Sequence, residues 1–188
     1  MQNRSISTRK IVLTALLAAL TTVCSRLRIV LPLEIAGTTA FHLGNIMCAL
    51  SGILLGPWMG GLAAGLGSAI FDMLDPLYIS ECWITFLTKG AYGMVTGLVA
   101  LAGKKNRGYG NAVLATTAGA VTYAALYFAK SYFYNGRLIS GLTHEAALLN
   151  LVGKIPATTF NAVIAILCAP LLAVSIRGAL KRSHITLD

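Results

Sequence analysis

Long apolar segments separated by short polar stretches run through the whole chain. Two of these segments, within residues 41–72, meet at a single Gly-Pro corner, and the polar residues of that stretch lie only at its ends. Because so short a turn reverses the chain direction, the pattern predicts a transmembrane hairpin. Its polar ends, which carry His42, Asn45 and Asp72, are expected to return to one membrane surface. A binding site should therefore open on that side.

Four further apolar segments complete a map of six transmembrane helices. These segments are predicted at about Ile11–Cys24, Cys82–Ala102, Ala112–Phe133 and Ala146–Val174. An apolar helix needs about 20 residues to cross a bilayer, and the chain has room for about six such helices. Pro156 is expected to break or bend the sixth helix, and residues 25–40 are expected to form a ragged helix end and a long outer loop. The expected fold is an all-α integral membrane protein with one domain over residues 1–188.

Composition and charge support this class and orient the chain. Of the 188 residues, 56% are apolar and 11% are charged, whereas soluble domains contain about 25% charged residues. Nine of the 15 Lys and Arg residues lie in the N-terminal tail, in the basic loop 104–107 and in the C-terminal segment. Five of the six acids lie at or near the opposite surface. Because positive charge marks the cytoplasmic side, both termini are predicted to be cytoplasmic.

The common catalytic and metal-binding motifs are missing from the sequence. It has no GxxxxGK[ST] phosphate loop, no HExxH, no GxSxG and no CxxC pair among its four cysteines. We therefore expect no ATP hydrolysis by this chain, no catalytic residue, no metal site and no cofactor. Two alternatives stay open, namely a stand-alone facilitator or ion-coupled transporter, and a small intramembrane enzyme using Asp72, His42 and a lysine.

Ionisable side chains inside apolar segments are the candidates for a site. A charged group near the bilayer centre costs about 2.5 to 3.5 kcal/mol, so it normally faces a protein interior and has a partner. Lys89 and Lys154 meet this description, and Lys130 meets it less well because it lies near a helix end. The alternative for all three is snorkelling of the long side chain to the interface.

Four segments of the chain carry a resemblance to a known family. They are AFHLGN, LSGILLGPWMGGLAAGLGSAIFDML, TFLTKGAYGMVTGLVA and GKIPATTFNAVIAILCAPLL. The chain resembles the S components, the substrate-binding subunits of energy-coupling factor (ECF) vitamin transporters. The resemblance implies capture of a vitamin or vitamin precursor near the outer surface, within a complex of a transmembrane coupling subunit and two cytoplasmic ATPases. It also implies that an AxxxA motif on the first helix, matched here by Ala15 and Ala19, contacts the coupling subunit.

The resemblance leaves the ligand open among pantothenate, cobalamin, riboflavin, pyridoxine or hydroxymethylpyrimidine, and folate. Lys89 and Lys154 are each predicted to reach the outer half of the bilayer. There they would donate hydrogen bonds to a carboxylate, phosphate or carbonyl group of the vitamin, or pair with Asp72 when the pocket is empty. The Pro32–Ala40 loop is expected to cover the pocket. The other residues expected to line it are His42, Asn45, Asp72, Tyr78, Trp83, Tyr123, Tyr127 and Asn161, of which the aromatic ones could instead form an interfacial belt.

Overall fold

The computed structural model describes residues 7–31, 39–103 and 108–183. Over these ranges the chain forms six α-helices: α1 (Thr8–Arg26), α2 (Gly44–Leu55), α3 (Pro57–Met73), α4 (Cys82–Ala102), α5 (Tyr109–Ala129) and α6 (His144–Arg182). A 3₁₀ turn (Ile79–Glu81) precedes α4, and a π-helical segment (Lys130–Ile139) continues α5. An antiparallel ribbon of two strands, β1 (Arg28–Leu31) and β2 (Thr39–His42), connects α1 to α2.

The predicted number and order of helices are confirmed within the described residues. The bounds of α4 coincide with the prediction, whereas α1 and α5 begin three residues earlier than predicted. Of the predicted break or bend at Pro156, the break is absent, because α6 is a single helix of 39 residues that contains both Pro156 and Pro170. A proline removes one backbone hydrogen bond, and neighbouring helices in a membrane bundle make that loss tolerable.

Within the residues that the structure describes, four helical stretches are long and apolar enough to cross a membrane. They are Thr8–Arg26, Ile79–Ala102, Tyr109–Ile139 and His144–Arg182. By contrast α2 has 12 residues, which at a rise of 1.5 Å per residue gives about 18 Å, less than the hydrocarbon thickness of about 30 Å. The expected six full spans are therefore met by four long helices and a shorter α2–α3 hairpin. Because β2 ends just before α2 begins, the ribbon lies next to the N-terminal end of this short helix.

Glycines bring the helices of the hairpin into backbone contact with α4. Gly56 adopts a positive φ of 80° between α2 and α3, a conformation that favours glycine, and Pro57 then begins α3. A methyl group added to Gly52 would lie 2.4 Å from the carbonyl oxygen of Gly93. On α3, a methyl group on Gly61 would lie 2.9 Å from the Gly90 carbonyl oxygen. The absence of side chains at these glycines thus allows the close approach of the helices.

The ribbon replaces much of the predicted outer loop. Residues 28–31 pair with residues 39–42 in the register Arg28↔His42 to Leu31↔Thr39. The β-branched pair Ile29 and Val30 suits an extended strand, although Pro32 and Glu34 had suggested a loop throughout. The predicted covering loop, except for its last two residues, and the basic loop 104–107 lie outside the described residues.

Candidate ligand-binding site

A cavity opens at the ribbon end of the helical bundle. Its walls come from the end of α1, the ribbon, α3, α4, α5, the π-helical segment and α6, and it contains about 830 Å³ of space free of atoms, its opening included. Both polar ends of the α2–α3 hairpin lie at this end, because His42 and Asp72 line the same cavity. The hairpin therefore returns its polar ends to one surface, as the short Gly-Pro corner predicted.

Lys89 lines the cavity and is held by a residue of α2. Its side chain is buried, and its Nζ donates a hydrogen bond to Oδ1 of Asn45, which is itself buried. The same Nζ lies 3.9 Å from the centre of the Tyr123 ring, within the range of a cation–π interaction. Lys89 thus points inward to protein partners, and its side chain does not snorkel to the interface.

Lys154 places a second ammonium group in the same cavity from α6. Its side chain is 1% exposed, and its Nζ lies 5.7 Å from the centre of the Tyr127 ring. Two turns further along α6, Asn161 fastens the ribbon to the helix. The Asn161 side chain donates to the carbonyl oxygen of Ala40 at 2.8 Å and accepts from the backbone N–H of His42 at 2.9 Å. Helix α6 therefore supplies both a cation and the anchor for β2.

Three tyrosines form a stacked aromatic wall beside the lysines. The Tyr92 and Tyr123 rings lie 5.7 Å apart with planes 17° from parallel, and the Tyr123 and Tyr127 rings lie 5.8 Å apart at 30°. Tyr123 and Tyr127, which line the cavity, are one turn apart on α5, which places both rings on the same face. Such a surface can stack against a planar ring of a ligand.

Arg28 fastens the other strand of the ribbon to the segment after α3. Its guanidinium pairs with the buried carboxylate of Asp75 and lies 5.0 Å from the centre of the Phe71 ring and 4.8 Å from that of Tyr78. Asp75 also accepts from the backbone N–H of Leu77 at 3.0 Å. Together with the Asn161 contacts, this arrangement holds both strands against the cavity rim.

Glu81 is the hub of a second charged cluster. Its carboxylate pairs with Nζ of Lys130 and accepts a hydrogen bond from Nδ2 of Asn135. All three residues line the cavity. Lys130 therefore has an acidic partner inside the protein, so snorkelling does not describe its position.

His42, at the end of β2, is held neutral. Burial lowers its pKa well below the usual value, and the positive charges of Lys89 and Arg28 lower it further. Its Nδ1 accepts a hydrogen bond from the backbone N–H of Gly44 at 3.2 Å. This assigns the ring proton to Nε2, which can donate.

Asp72 does not form the predicted pair with Lys89. It lines the cavity near the end of α3, where the Thr85 side chain donates a hydrogen bond to its carboxylate. Lys89 is engaged by Asn45 instead. Within the described ranges, no group of three or more His, Cys, Asp or Glu side chains could hold a metal ion.

Comparison with known proteins identifies the family of this chain. The sequence profile described as ECF-type riboflavin transporter, S component, matches residues 5–178. The chain belongs to this family of S components. Like the other members of this family, this S component is a membrane-integral protein with several transmembrane helices.

Two individual proteins are similar to this S component. A Pyrococcus woesei protein described as "Uncharacterized protein in gap 3'region" is 33% identical over 95 residues, which are 50% of this chain and 61% of the relative. The chain thus matches about three fifths of that relative's length. The crystal structure at 2.1 Å of the S-component for biotin from an ECF-type ABC transporter superposes with a TM-score of 0.63. That match covers 89% of this chain and 94% of the other at 14% identity, so it shows a shared fold alone.

Eight of the ten residues predicted to bind substrate line the cavity of the S component. They are His42, Asp72, Tyr78, Lys89, Tyr123, Tyr127, Lys154 and Asn161. Asn45 is not among the lining residues, but its side chain accepts the hydrogen bond from Lys89. Trp83 is 53% exposed and packs edge-on against Tyr134 with ring centres 5.8 Å apart. It lies two positions before the lining residue Thr85, and therefore about 200° round the helix from it. Its predicted place in the pocket is not supported.

Several lining residues were not predicted from the sequence. They include Ser25, Arg28, Ser68, Glu81, Thr85, Thr88, Ser131 and Asn135. The spacing of Thr85, Thr88 and Lys89 places all three on one helix face, and this signal could have found the two threonines. Arg28 and the residues of the π-helical segment gave no comparable signal, because their direction depends on local structure that the sequence pattern did not reveal.

Proposed function

We propose that this chain is the substrate-binding subunit of an ECF-type ABC importer. It captures a vitamin or vitamin precursor at the outer face and delivers the molecule through an ATP-driven complex. The cavity supports this proposal, since it places two buried lysines beside stacked tyrosines at one end of a small bundle. Such a bundle can bind a ligand, whereas its sequence has no phosphate loop that would drive accumulation.

The cavity favours a ligand that combines a planar ring with an anionic or carbonyl group. The ring would stack on Tyr123 and Tyr127, and the acceptor group would receive hydrogen bonds from Lys89 and Lys154. Riboflavin, pantothenate, pyridoxine or hydroxymethylpyrimidine, and folate remain candidates. Cobalamin, the largest of the candidates, also stays open. The family profile makes riboflavin the first compound to test.

The proposed partners are a transmembrane coupling subunit and two cytoplasmic ATPase subunits. Ala15 and Ala19 are both exposed on α1, where small side chains would allow a partner helix to approach closely. Replacing both alanines by Trp should leave ligand binding intact while abolishing transport and weakening assembly. Loss of binding with assembly unaffected would show that these alanines serve the chain's own packing.

Co-purification tests the proposal directly. The chain is expressed with and without the energising subunits, purified, and the small molecules that it retains are identified by mass spectrometry. We expect a vitamin from the candidate group to be retained in both preparations, and uptake into vesicles only when the ATPases are present. Uptake by this chain alone would contradict the proposal and favour the stand-alone facilitator or ion-coupled transporter.

A further inference from the structure

Two residues of the π-helical segment that line the cavity each carry a buried side-chain oxygen that is not hydrogen-bonded to any part of the chain that the structure describes. The side chain of Ser131 is 1% exposed and that of Asn135 is 7% exposed, and both line the cavity. Among the described residues, neither Oγ of Ser131 nor Oδ1 of Asn135 has a hydrogen-bond partner. Leaving a buried polar group unpaired is energetically costly, so such groups are rare and point to a partner outside the chain.

The hydroxyl of Ser131 differs from those of several buried threonines in the helices. Thr21, Thr116 and Thr158 each donate to the carbonyl oxygen four residues earlier, at 2.8 to 2.9 Å. Ser131 lies where α5 passes into the π-helical segment and backbone bonds begin to span five residues, as from Ser140 to Asn135. Ser131 does not donate to the carbonyl oxygen four residues earlier, so its hydroxyl can bond to a molecule in the cavity. Insertions of π-helical geometry are frequent at functional sites.

The orientation of the Asn135 amide is fixed by Glu81. Its Nδ2 donates to the carboxylate of Glu81. The flipped amide would set Oδ1 against that carboxylate, and two acceptors repel each other. Oδ1 of Asn135 can therefore act only as an acceptor, and its partner must supply an N–H or O–H group.

We infer that Ser131 and Asn135 form a neutral hydrogen-bonding subsite, which binds an uncharged N–H or O–H group of the transported molecule. The inference rests on the proposed function and adds to its ligand chemistry. The lysine ammonium groups can only donate, whereas Oδ1 of Asn135 can only accept. The cavity therefore selects a ring that carries an acceptor or anionic group toward Lys89 and Lys154 and an amide, imide or hydroxyl donor toward the π-helical segment.

A binding panel with point variants tests this subsite. The purified chain is incubated with riboflavin, pantothenate, pyridoxine, hydroxymethylpyrimidine, folate and cobalamin, and the Kd of each retained compound is measured by calorimetry. Ser131→Ala and Asn135→Leu should each weaken binding by about threefold to thirtyfold, the range expected for one neutral hydrogen bond or slightly more. Thr122→Val is the matched control, since it removes a hydroxyl from the same helix at a position that does not line the cavity.

An analogue of the retained compound, methylated at its N–H or O–H donor, provides a second readout. Methylation should weaken binding to the wild type by a similar factor and have a smaller effect on Ser131→Ala than on the wild type, because that variant has already lost part of the interaction with the donor group. This comparison decides the question if Asn135→Leu fails to fold after losing its contact with Glu81.

The outcomes separate the subsite from the proposed function. If the wild type retains none of the six compounds, the proposed function fails and the subsite inference falls with it. If the wild type retains a compound that both folded variants bind with unchanged Kd, the function stands and the subsite inference alone is overturned. Equal weakening by Thr122→Val would also overturn it, since the effect would then not be local to the cavity.

Discussion

The replacement of Lys89 by Met removes one positive charge from the cavity at nearly constant side-chain length. The lost Nζ donates to Asn45 and lies 3.9 Å from the Tyr123 ring centre, so it is positioned to reach a ligand stacked on that wall. A buried hydrogen bond to a charged group contributes about 1.5 to 3 kcal/mol, which corresponds to a Kd about tenfold to a hundredfold weaker. Lys154→Met is expected to have an effect of the same order.

The same substitution also leaves Oδ1 of Asn45 buried without a donor, which lowers the free energy of unfolding by about 1 to 3 kcal/mol. The double variant Lys89→Met/Asn45→Leu separates the two effects, because replacing both partners by apolar groups restores stability and leaves the charge missing. The assay is calorimetric Kd for the vitamin that the wild type retains, with the melting temperature in detergent measured in parallel. Lys181→Met, at an exposed position near the end of α6, is the control.

We expect the double variant to regain the melting temperature of the wild type but not its affinity. If Lys89→Met and Lys154→Met both bind with wild-type Kd, the lysines have no role in binding and the proposed site must be abandoned. If the double variant recovers affinity together with stability, Lys89 acts on the fold and does not contact the vitamin.

Three further predictions concern packing, pH and topology. Gly52→Ala should destabilise the protein by about 1 to 3 kcal/mol, because the added methyl group would lie 2.4 Å from a carbonyl oxygen of α4. The control Gly178→Ala should be neutral or stabilising, because its methyl group would meet nothing within 4 Å. Equal melting temperatures for the two variants would refute the packing argument. Burial lowers the pKa of His42, so the unfolded chain binds a proton there that the folded chain does not, and stability should fall as the pH drops below about 6.5. His42→Gln should reduce that fall in melting temperature, and an unchanged slope would refute the assignment of a neutral His42. A membrane-impermeant thiol reagent applied from outside should label a cysteine placed at Ser80 but not one placed within residues 104–107, and the reverse result would invert the predicted orientation.

The sequence alone determined the membrane class, the order of six helices and the tight hairpin. These features depend on the length of apolar runs and on the Gly-Pro corner, which are local properties of the chain. The bounds of α4 followed for the same reason, since Cys82–Ala102 is an apolar run flanked by polar breaks. The sequence also singled out Lys89 and Lys154, because a charge within an apolar run is costly wherever the helix packs.

Only the tertiary structure decided what these charges meet and which neighbours share their cavity. Lys89 is engaged by Asn45, 44 residues earlier in the chain, and Arg28 is paired with Asp75, 47 residues later. Such pairs depend on the rotation of each helix about its axis and on the path of the ribbon, which hydrophobic length does not specify. Trp83 was predicted to line the cavity but is not among its lining residues, whereas Asn135, which lies outside every predicted helix, does line it. Depth in the membrane is set by the local sequence, whereas the direction in which a side chain points is set by the packing of the other helices.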